Sequence, residues 1–215
     1  MPSPTTLAAF AAATMLLLIL PGPAVMYIMT RSAAQGRVAG LVSVAGIHVG
    51  TTVHVAAAMV GLSAVLVASA TAFTAVKLFG AAYLFWLGLQ SLLAWRRQTT
   101  EVAPLPTVET RSLRRVFVDG IVLNILNPKT AVFFLSFVPQ FVDPSAASPT
   151  LTLGVLGLVF IALGLVSDGA FALAGGWLGA RLRRSPTLRR RTDLVSGSTY
   201  LGLGLVTALS GNRAN

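Results

Sequence analysis

The sequence contains no cysteine, only six acidic residues and only two histidines among its 215 residues. Without cysteine there is no disulfide framework and no thiolate metal site. Charged residues make up 10% of the chain, whereas 55% is hydrophobic and the mean hydropathy is +0.80. A soluble domain of this length cannot bury so much apolar side chain, so the composition excludes an ordinary soluble globular protein.

Six apolar stretches have the length, about 20 residues, that a helix needs to cross a bilayer. They run from about Leu7 to Thr30, Leu41 to Ala68, Thr74 to Trp95, Val116 to Val142, Leu151 to Ala180, and Leu194 to Ser210. They lack the alternation of β-barrel strands, and helices satisfy their backbone amides internally. The sequence therefore predicts an all-α polytopic membrane protein. No basic residue precedes the first stretch, so we expect a span there and not a cleaved signal.

The positive charges lie at alternate ends of these stretches. Thirteen of the sixteen Lys and Arg residues occur in three segments: Arg31 with Arg37, Arg96 to Arg115, and Arg181 to Arg191. Because excess Lys and Arg marks cytoplasmic loops, we expect both termini outside, an N-out/C-out topology. The net charge of +10 then reflects orientation and indicates no nucleic-acid partner.

The longest polar segment divides the spans into two sets of three. We expect residues 1–95 to form the first three-helix repeat, 96–115 a cytoplasmic linker, and 116–215 the second repeat. With three spans per half, the second half inserts in the opposite orientation. The third and sixth spans share the pattern Gly-x-x-Tyr-Leu from Gly80 and from Gly197. These features predict two inverted repeats within a single membrane domain.

The first span of each half is interrupted by proline, in Pro21-Gly22-Pro23 and in Asn127-Pro128. Proline inside a helix removes a hydrogen bond at a cost of about 3 kcal/mol, and in membranes such breaks persist inside protein or along a cavity. Proline suits the first position of a new helix, and asparagine caps one well. We therefore predict two half-helices whose N-termini point into the protein and favour an anion.

Two ionisable residues lie deep inside spans, Lys129 in the fourth and Asp168 in the fifth. A charge at that depth costs about 2.5 to 3.5 kcal/mol, so both are functional candidates, Asp168 as a proton carrier. A purely structural ion pair between them is the alternative. Asn124 and Asn127 share a polar helical face leading to the break, and either line the pathway or bond to neighbouring helices.

A stripe of small residues on the second span also carries His54, and its members are Gly46, Gly50, Ala57 and Gly61. Such a stripe is typical of helix packing, either within the chain or in a homodimer. His54 is therefore expected to face protein, as a second candidate for proton coupling or as a satisfied structural donor. His48 lies off this stripe, and the pattern assigns it no role.

Several short motifs, which follow one another in the expected order along most of the chain, together resemble the LysE/RhtB family of amino-acid exporters. The matching segments are Leu20-Pro21-Gly22-Pro23, Gly61-Leu62, Lys77 to Leu84, Asn124 to Lys129, Phe133-Phe134 and Pro139-Gln140-Phe141. The resemblance implies a carrier of the bacterial inner membrane that expels amino acids or their derivatives in exchange for protons. It carries over six signature positions: Pro21, Gly22, Pro23, Asn127, Pro128 and Lys129.

The sequence thus predicts a cofactor-free carrier with protons, an amino acid and the lipid bilayer as partners. The substrate carboxylate would meet the half-helix N-termini and Lys129, and its ammonium group Asp168 or carbonyls freed at the breaks. A channel, a non-transporting structural subunit and an exporter of another small solute remain alternatives. An enzyme is disfavoured because no nucleophile with a base and no metal cluster is evident.

Overall fold

A computed structural model of the protein describes residues 2–62, 70–97, 109–143 and 148–184, together with scattered residues between 187 and 208. All regular structure in these ranges is helical. The helices are α1 (Pro4–Ile19), α2 (Pro23–Gln35), α3 (Arg37–Ala57), α4 (Ala70–Arg97), α5 (Leu113–Ile125), α6 (Pro128–Phe141) and α7 (Pro149–Arg184). A π-helical turn, Ala58–Leu62, extends α3, and a second one, Phe133–Phe137, lies inside α6.

Several of these helices are long and apolar enough to cross a membrane. Arg37–Gly61 and Pro149–Gly175 qualify alone, with 25 and 27 residues, and α1 with α2 and α5 with α6 each qualify as a bent pair. The described chain therefore has two to four candidate spans, and the predicted all-helical class is confirmed. The predicted third span lies within the continuous helix α4. Most of the predicted sixth span and all of linker residues 98–108 lie outside the described residues.

Both predicted helix breaks are present. The axes of α1 and α2 differ by 53°, and those of α5 and α6 by 46°. Pro21 and Pro23 have no N–H to donate to the carbonyls of Leu17 and Ile19, four residues earlier, so α1 ends there. At the second break Asn127 is the N-cap of α6, and its side chain accepts a hydrogen bond of 3.1 Å from the amide of Lys129.

The α3–α5 crossing brings two helix backbones into direct contact. A Cβ atom placed on Gly50 would lie 2.9 Å from the carbonyl oxygen of Ile121, and one on Gly120 would lie 3.1 Å from that of Ser43. A Cβ on Gly46 would overlap the carbonyl oxygen of Phe117. Small residues allow this approach, and van der Waals contact then stabilises the pair in a lipid solvent.

Only half of the small-residue stripe contacts α5. Gly46 and Gly50 contact α5, whereas Ala57 and Gly61 are exposed, and no described atom lies near the Gly61 Cβ position. Gly175 on α7 packs closely against Ser32 of α2. Gly46, Gly50 and Gly175 are therefore occupied by contacts within the chain, so those positions are not free to form a homodimer face.

An apolar cluster and a polar contact zone lie on either side of the helix breaks. The apolar cluster joins α1, α6 and α7 through buried rings: Phe10, Phe133, Phe134, Phe137 and Phe160. In the polar zone, Arg31 of α2 donates to the backbone oxygen of Glu109 at 3.0 Å, and Gln35 donates to that of Arg111 at 2.7 Å. These contacts hold the segment before α5 against the end of α2, and the breaks lie between the two zones.

Candidate functional site

The two helix breaks meet at one small internal cavity. It is lined by Leu17 and Leu18 of α1, Gly22, Ala24 and Val25 at the start of α2, Ile47, His48 and Thr51 of α3, Asn124 and Asn127 before the second break, Lys129 and Thr130 of α6, and Phe160 and Asp168 of α7. The volume of the cavity is about 30 Å³. That space suits one or two waters and is too small for an amino acid.

Lys129, in the second half of the chain, binds backbone carbonyls at the first helix break. Its Nζ donates hydrogen bonds to the carbonyl oxygens of Leu17 at 2.7 Å and Leu20 at 2.9 Å. The Leu17 carbonyl is the one whose helical donor is missing because residue 21 is proline. Gly22 leaves room for the lysine stem, since a Cβ there would lie 3.3 Å from Lys129 Cδ. The ammonium group thus caps the negative end of α1.

Asn124 connects three helices beside the cavity. Its Nδ2 donates to the Ile47 carbonyl and to the Thr51 hydroxyl, both at 2.9 Å, across the α3–α5 crossing. Its Oδ1 accepts from the Thr130 hydroxyl at 3.2 Å and from Asn127 Nδ2 at 3.4 Å. The predicted polar face therefore bonds to neighbouring helices and also lines the cavity.

The deep carboxylate of Asp168 is paired with a residue to which the sequence assigned no role. Its Oδ2 lies 3.2 Å from Nε2 of His48, and the two residues are 3% and 6% exposed. His48 Nδ1 is buried and has no hydrogen-bond partner in the described part of the chain. Because the partners are 120 positions apart, no local pattern could have joined them.

His54 faces protein, as the stripe suggested, but away from the cavity lining. Its Nε2 lies 2.9 Å from the Asn124 carbonyl oxygen, and its ring stacks on Phe134 at a centroid distance of 6.4 Å. Pro128 removes the helical donor of that carbonyl, four residues later. His54 therefore donates to a carbonyl at the second break, as Lys129 does at the first. This contact fits a structural donor. The role of His54 in proton coupling stays a prediction.

The N-termini of both half-helices face the cavity, but their capping differs. At α6 the Asn127 side chain already accepts from the first available amide. At α2 the N-cap is Gly22, which provides no side-chain cap, and Pro23 has no amide. The first amides of α2 belong to Ala24 and Val25, which line the cavity. The start of α2 therefore lacks the side-chain cap that α6 has, and uncapped amides at a helix start favour an anion. Pro21, Pro23 and Pro128 shape the backbone without lining the cavity.

Interrupted helices whose N-termini meet charged side chains around a cavity are typical of the class of membrane transport proteins. Within that class, the chain belongs to the LysE type translocator family, whose sequence profile matches residues 15–211. Members of this family are translocators and not enzymes.

Individual relatives match over nearly their full length. An uncharacterized membrane protein of Pseudomonas aeruginosa is 29% identical over 89% of each chain. The homoserine/homoserine lactone efflux protein of Salmonella typhimurium is 30% identical, over 90% of this chain and 91% of its own. The threonine efflux protein of Escherichia coli is 27% identical, over 90% and 92%. No solved structure matches this chain.

Proposed function

We propose that this protein exports an amino acid, or a close derivative such as homoserine, from the cytoplasm across the bacterial inner membrane. The observation that carries the proposal is the pairing of opposite charges around one cavity: the open start of α2 with Lys129, and the carboxylate of Asp168. A zwitterion carries the complementary pair of charges. Family membership and the names of two efflux relatives support the same substrate class.

In this proposal the substrate carboxylate binds the amides of Ala24 and Val25 together with the Lys129 ammonium group. The substrate ammonium group binds Asp168. Because the cavity of about 30 Å³ cannot hold an amino acid, binding requires the half-helices to separate and Lys129 to leave the carbonyls of α1. The contracted cavity thus corresponds to a state without substrate, and expansion toward one membrane face and then the other gives alternating access.

The membrane topology proposed from the sequence is consistent with this cycle. Six spans form two inverted repeats, 1–95 and 116–215, joined by a cytoplasmic linker at 96–115, with both termini outside. The broken helices α1–α2 and α5–α6 then occupy corresponding places in the two repeats. Rocking of one repeat against the other opens the cavity through the polar zone at Arg31 on the cytoplasmic side or through the phenylalanine cluster on the outer side.

The transport activity is tested by counterflow in proteoliposomes. We expect unlabelled substrate inside the vesicles to accelerate uptake of the same labelled amino acid, for at least one member of a panel of the twenty protein amino acids and homoserine. A carrier gives this acceleration because loaded transporters reorient in both directions. Equal uptake with and without internal substrate indicates a channel, and no uptake of any panel member indicates a non-transporting subunit or another solute.

Export is driven, in our proposal, by protons entering through Asp168, with His54 as the sequence-derived second candidate. We expect Asp168→Asn to abolish uptake driven by a pH gradient, because the amide cannot exchange a proton. The same change should raise the substrate concentration needed for counterflow by about tenfold or more, since the substrate ammonium loses its partner. Both quantities are measured in the same proteoliposomes, and gradient-driven uptake equal to that of the wild type would exclude Asp168 as the proton carrier.

A further inference from the structure

His48 is a buried cavity residue whose two ring nitrogens have different surroundings. It is 6% exposed, its Nε2 faces Asp168 Oδ2 at 3.2 Å, and it lines the cavity. Its second ring nitrogen, Nδ1, is buried without a partner among the described residues, although buried polar atoms are normally hydrogen-bonded. His48 thus combines a carboxylate partner at one ring nitrogen with an unpartnered second nitrogen.

The charges around His48 are few, so its partner is well defined. On the helices packed against α3, the groups that share its cavity are Asp168 of α7 and Lys129 of α6. Other ionisable residues lie elsewhere: Tyr27 bonds the Val116 carbonyl, Arg31 bonds Gln35, Asp119 pairs with Arg111 and Arg115, and His54 bonds the Asn124 carbonyl. Among the residues that the structure describes, Asp168 is therefore the one carboxylate lining the cavity, and it faces up to three cations: Lys129, a protonated His48 and a substrate ammonium group.

The balance of charge limits how these cations are combined. Lys129 with Asp168 is neutral in sum, and a zwitterionic substrate leaves the sum unchanged. A protonated His48 adds one positive charge whether or not substrate is bound, but in the substrate-bound cavity the imidazolium and the substrate ammonium group would both lie against the single carboxylate of Asp168. Such an arrangement is costly in a low-dielectric interior. The carboxylate thus holds either the imidazolium or the substrate ammonium.

We propose that His48 and Asp168 form the proton-carrying pair of this exporter, and that the proton on His48 and the substrate ammonium group compete for the Asp168 carboxylate. The inference rests on the proposed export function. When substrate enters from the cytoplasm, its ammonium group takes the place of the imidazolium at Asp168, and the proton on His48 Nε2 passes to cytoplasmic water. After substrate leaves outside, an external proton returns to His48. One proton enters for each substrate molecule exported, with no other reactant.

Competition predicts that substrate binding releases a proton. In weakly buffered detergent solution with a pH-sensitive dye, we expect the wild-type protein to release about one proton per substrate bound, using a panel member that counterflow has identified. In binding titrations between about pH 5 and 8, where imidazoles titrate, the apparent Kd should rise toward acid by up to about tenfold per pH unit. An apparent Kd that is independent of pH would overturn the inference without any variant.

The variant His48→Gln separates coupling from binding. It keeps a side-chain donor for Asp168 but cannot carry a proton, so we expect substrate binding without proton release, a pH-independent Kd and no uptake driven by a pH gradient. The matched control is His54→Gln, on the same helix, which keeps a donor for the Asn124 carbonyl. We expect this control to retain proton release and the wild-type pH dependence.

Each contrary result has a distinct meaning. Proton release that persists in His48→Gln, or that disappears in His54→Gln and not in His48→Gln, overturns the role of His48 while leaving export intact. A wild-type protein that exchanges no panel member overturns the proposed function and this inference with it. If His48→Gln fails to elute as a folded monodisperse protein, the wild-type pH dependence and the His54→Gln control decide the question.

Discussion

Lys129→Ala is expected to lower amino-acid export by about 100-fold or more at equal membrane abundance. In the proposed complex the ammonium group pairs with the substrate carboxylate away from water. Removing one partner of a buried charge pair costs about 3 to 5 kcal/mol, because the other charge is left uncompensated. At about 1.4 kcal/mol per tenfold change, this cost corresponds to a loss of about 2 to 3.5 orders of magnitude in affinity. Initial rates of efflux from preloaded cells and substrate affinity by counterflow measure both effects.

The same lysine also stabilises the first helix break, so the experiment needs controls. Lys129→Gln retains a donor for the Leu17 and Leu20 carbonyls but carries no charge, and we expect it to fold and still fail to export. Lys77→Ala removes the other lysine of the sequence and is expected to leave export unchanged. Wild-type affinity in Lys129→Gln would show that Lys129 only caps α1, and the proposed carboxylate site would then be wrong.

Gly46→Leu is expected to prevent accumulation of folded protein. A Cβ at this position overlaps the Phe117 carbonyl oxygen, which is backbone and cannot move aside without displacing α5. That displacement would also break the hydrogen bonds from Asn124 to α3. Overpacking alone costs about 1 to 3 kcal/mol, and loss of the buried amide contacts adds to it. Size-exclusion chromatography of the detergent-solubilised protein measures the loss.

The control for this prediction uses a glycine on the extension of the same helix. Gly61 is exposed, and no described atom lies within 4 Å of its Cβ position, so Gly61→Leu should accumulate normally. Alanine gives a finer test, because in an ordinary helix it is more favourable than glycine by about 1 kcal/mol. Gly46→Ala should nevertheless lower the thermal stability, and a stability at or above wild type would show that the α3–α5 contact is not tight.

Much of the architecture was accessible from local sequence patterns. Long apolar runs predicted the helical membrane class, and prolines at 21, 23 and 128 predicted both breaks, because a missing amide hydrogen interrupts a helix wherever it lies in the fold. The capping role of Asn127 followed for the same reason. The resemblance to the LysE/RhtB family, carried by the motifs around those breaks, is now established by the profile match.

Other assignments depended on how the helices are rotated and packed. The small-residue stripe was continuous in sequence, yet Gly46 and Gly50 contact α5 while Gly61 is exposed. Periodicity identifies residues on one face of a helix but not how far along that face a neighbour extends. For the same reason the stripe favoured His54 over His48, whereas in the structure His54 meets a backbone carbonyl and His48 meets Asp168.

The sequence alone predicted the helical membrane class of this protein, its two helix breaks and the burial of Asp168, since each depends on covalent chemistry or on neighbours within a few positions. Only the tertiary structure decided which groups those residues meet. The Leu17 carbonyl freed by Pro21 and the Leu20 carbonyl both accept from Lys129, 112 and 109 residues away, and Asp168 is paired across 120 residues with His48. Such partners are chosen by the packing of whole helices, and no short segment encodes that packing.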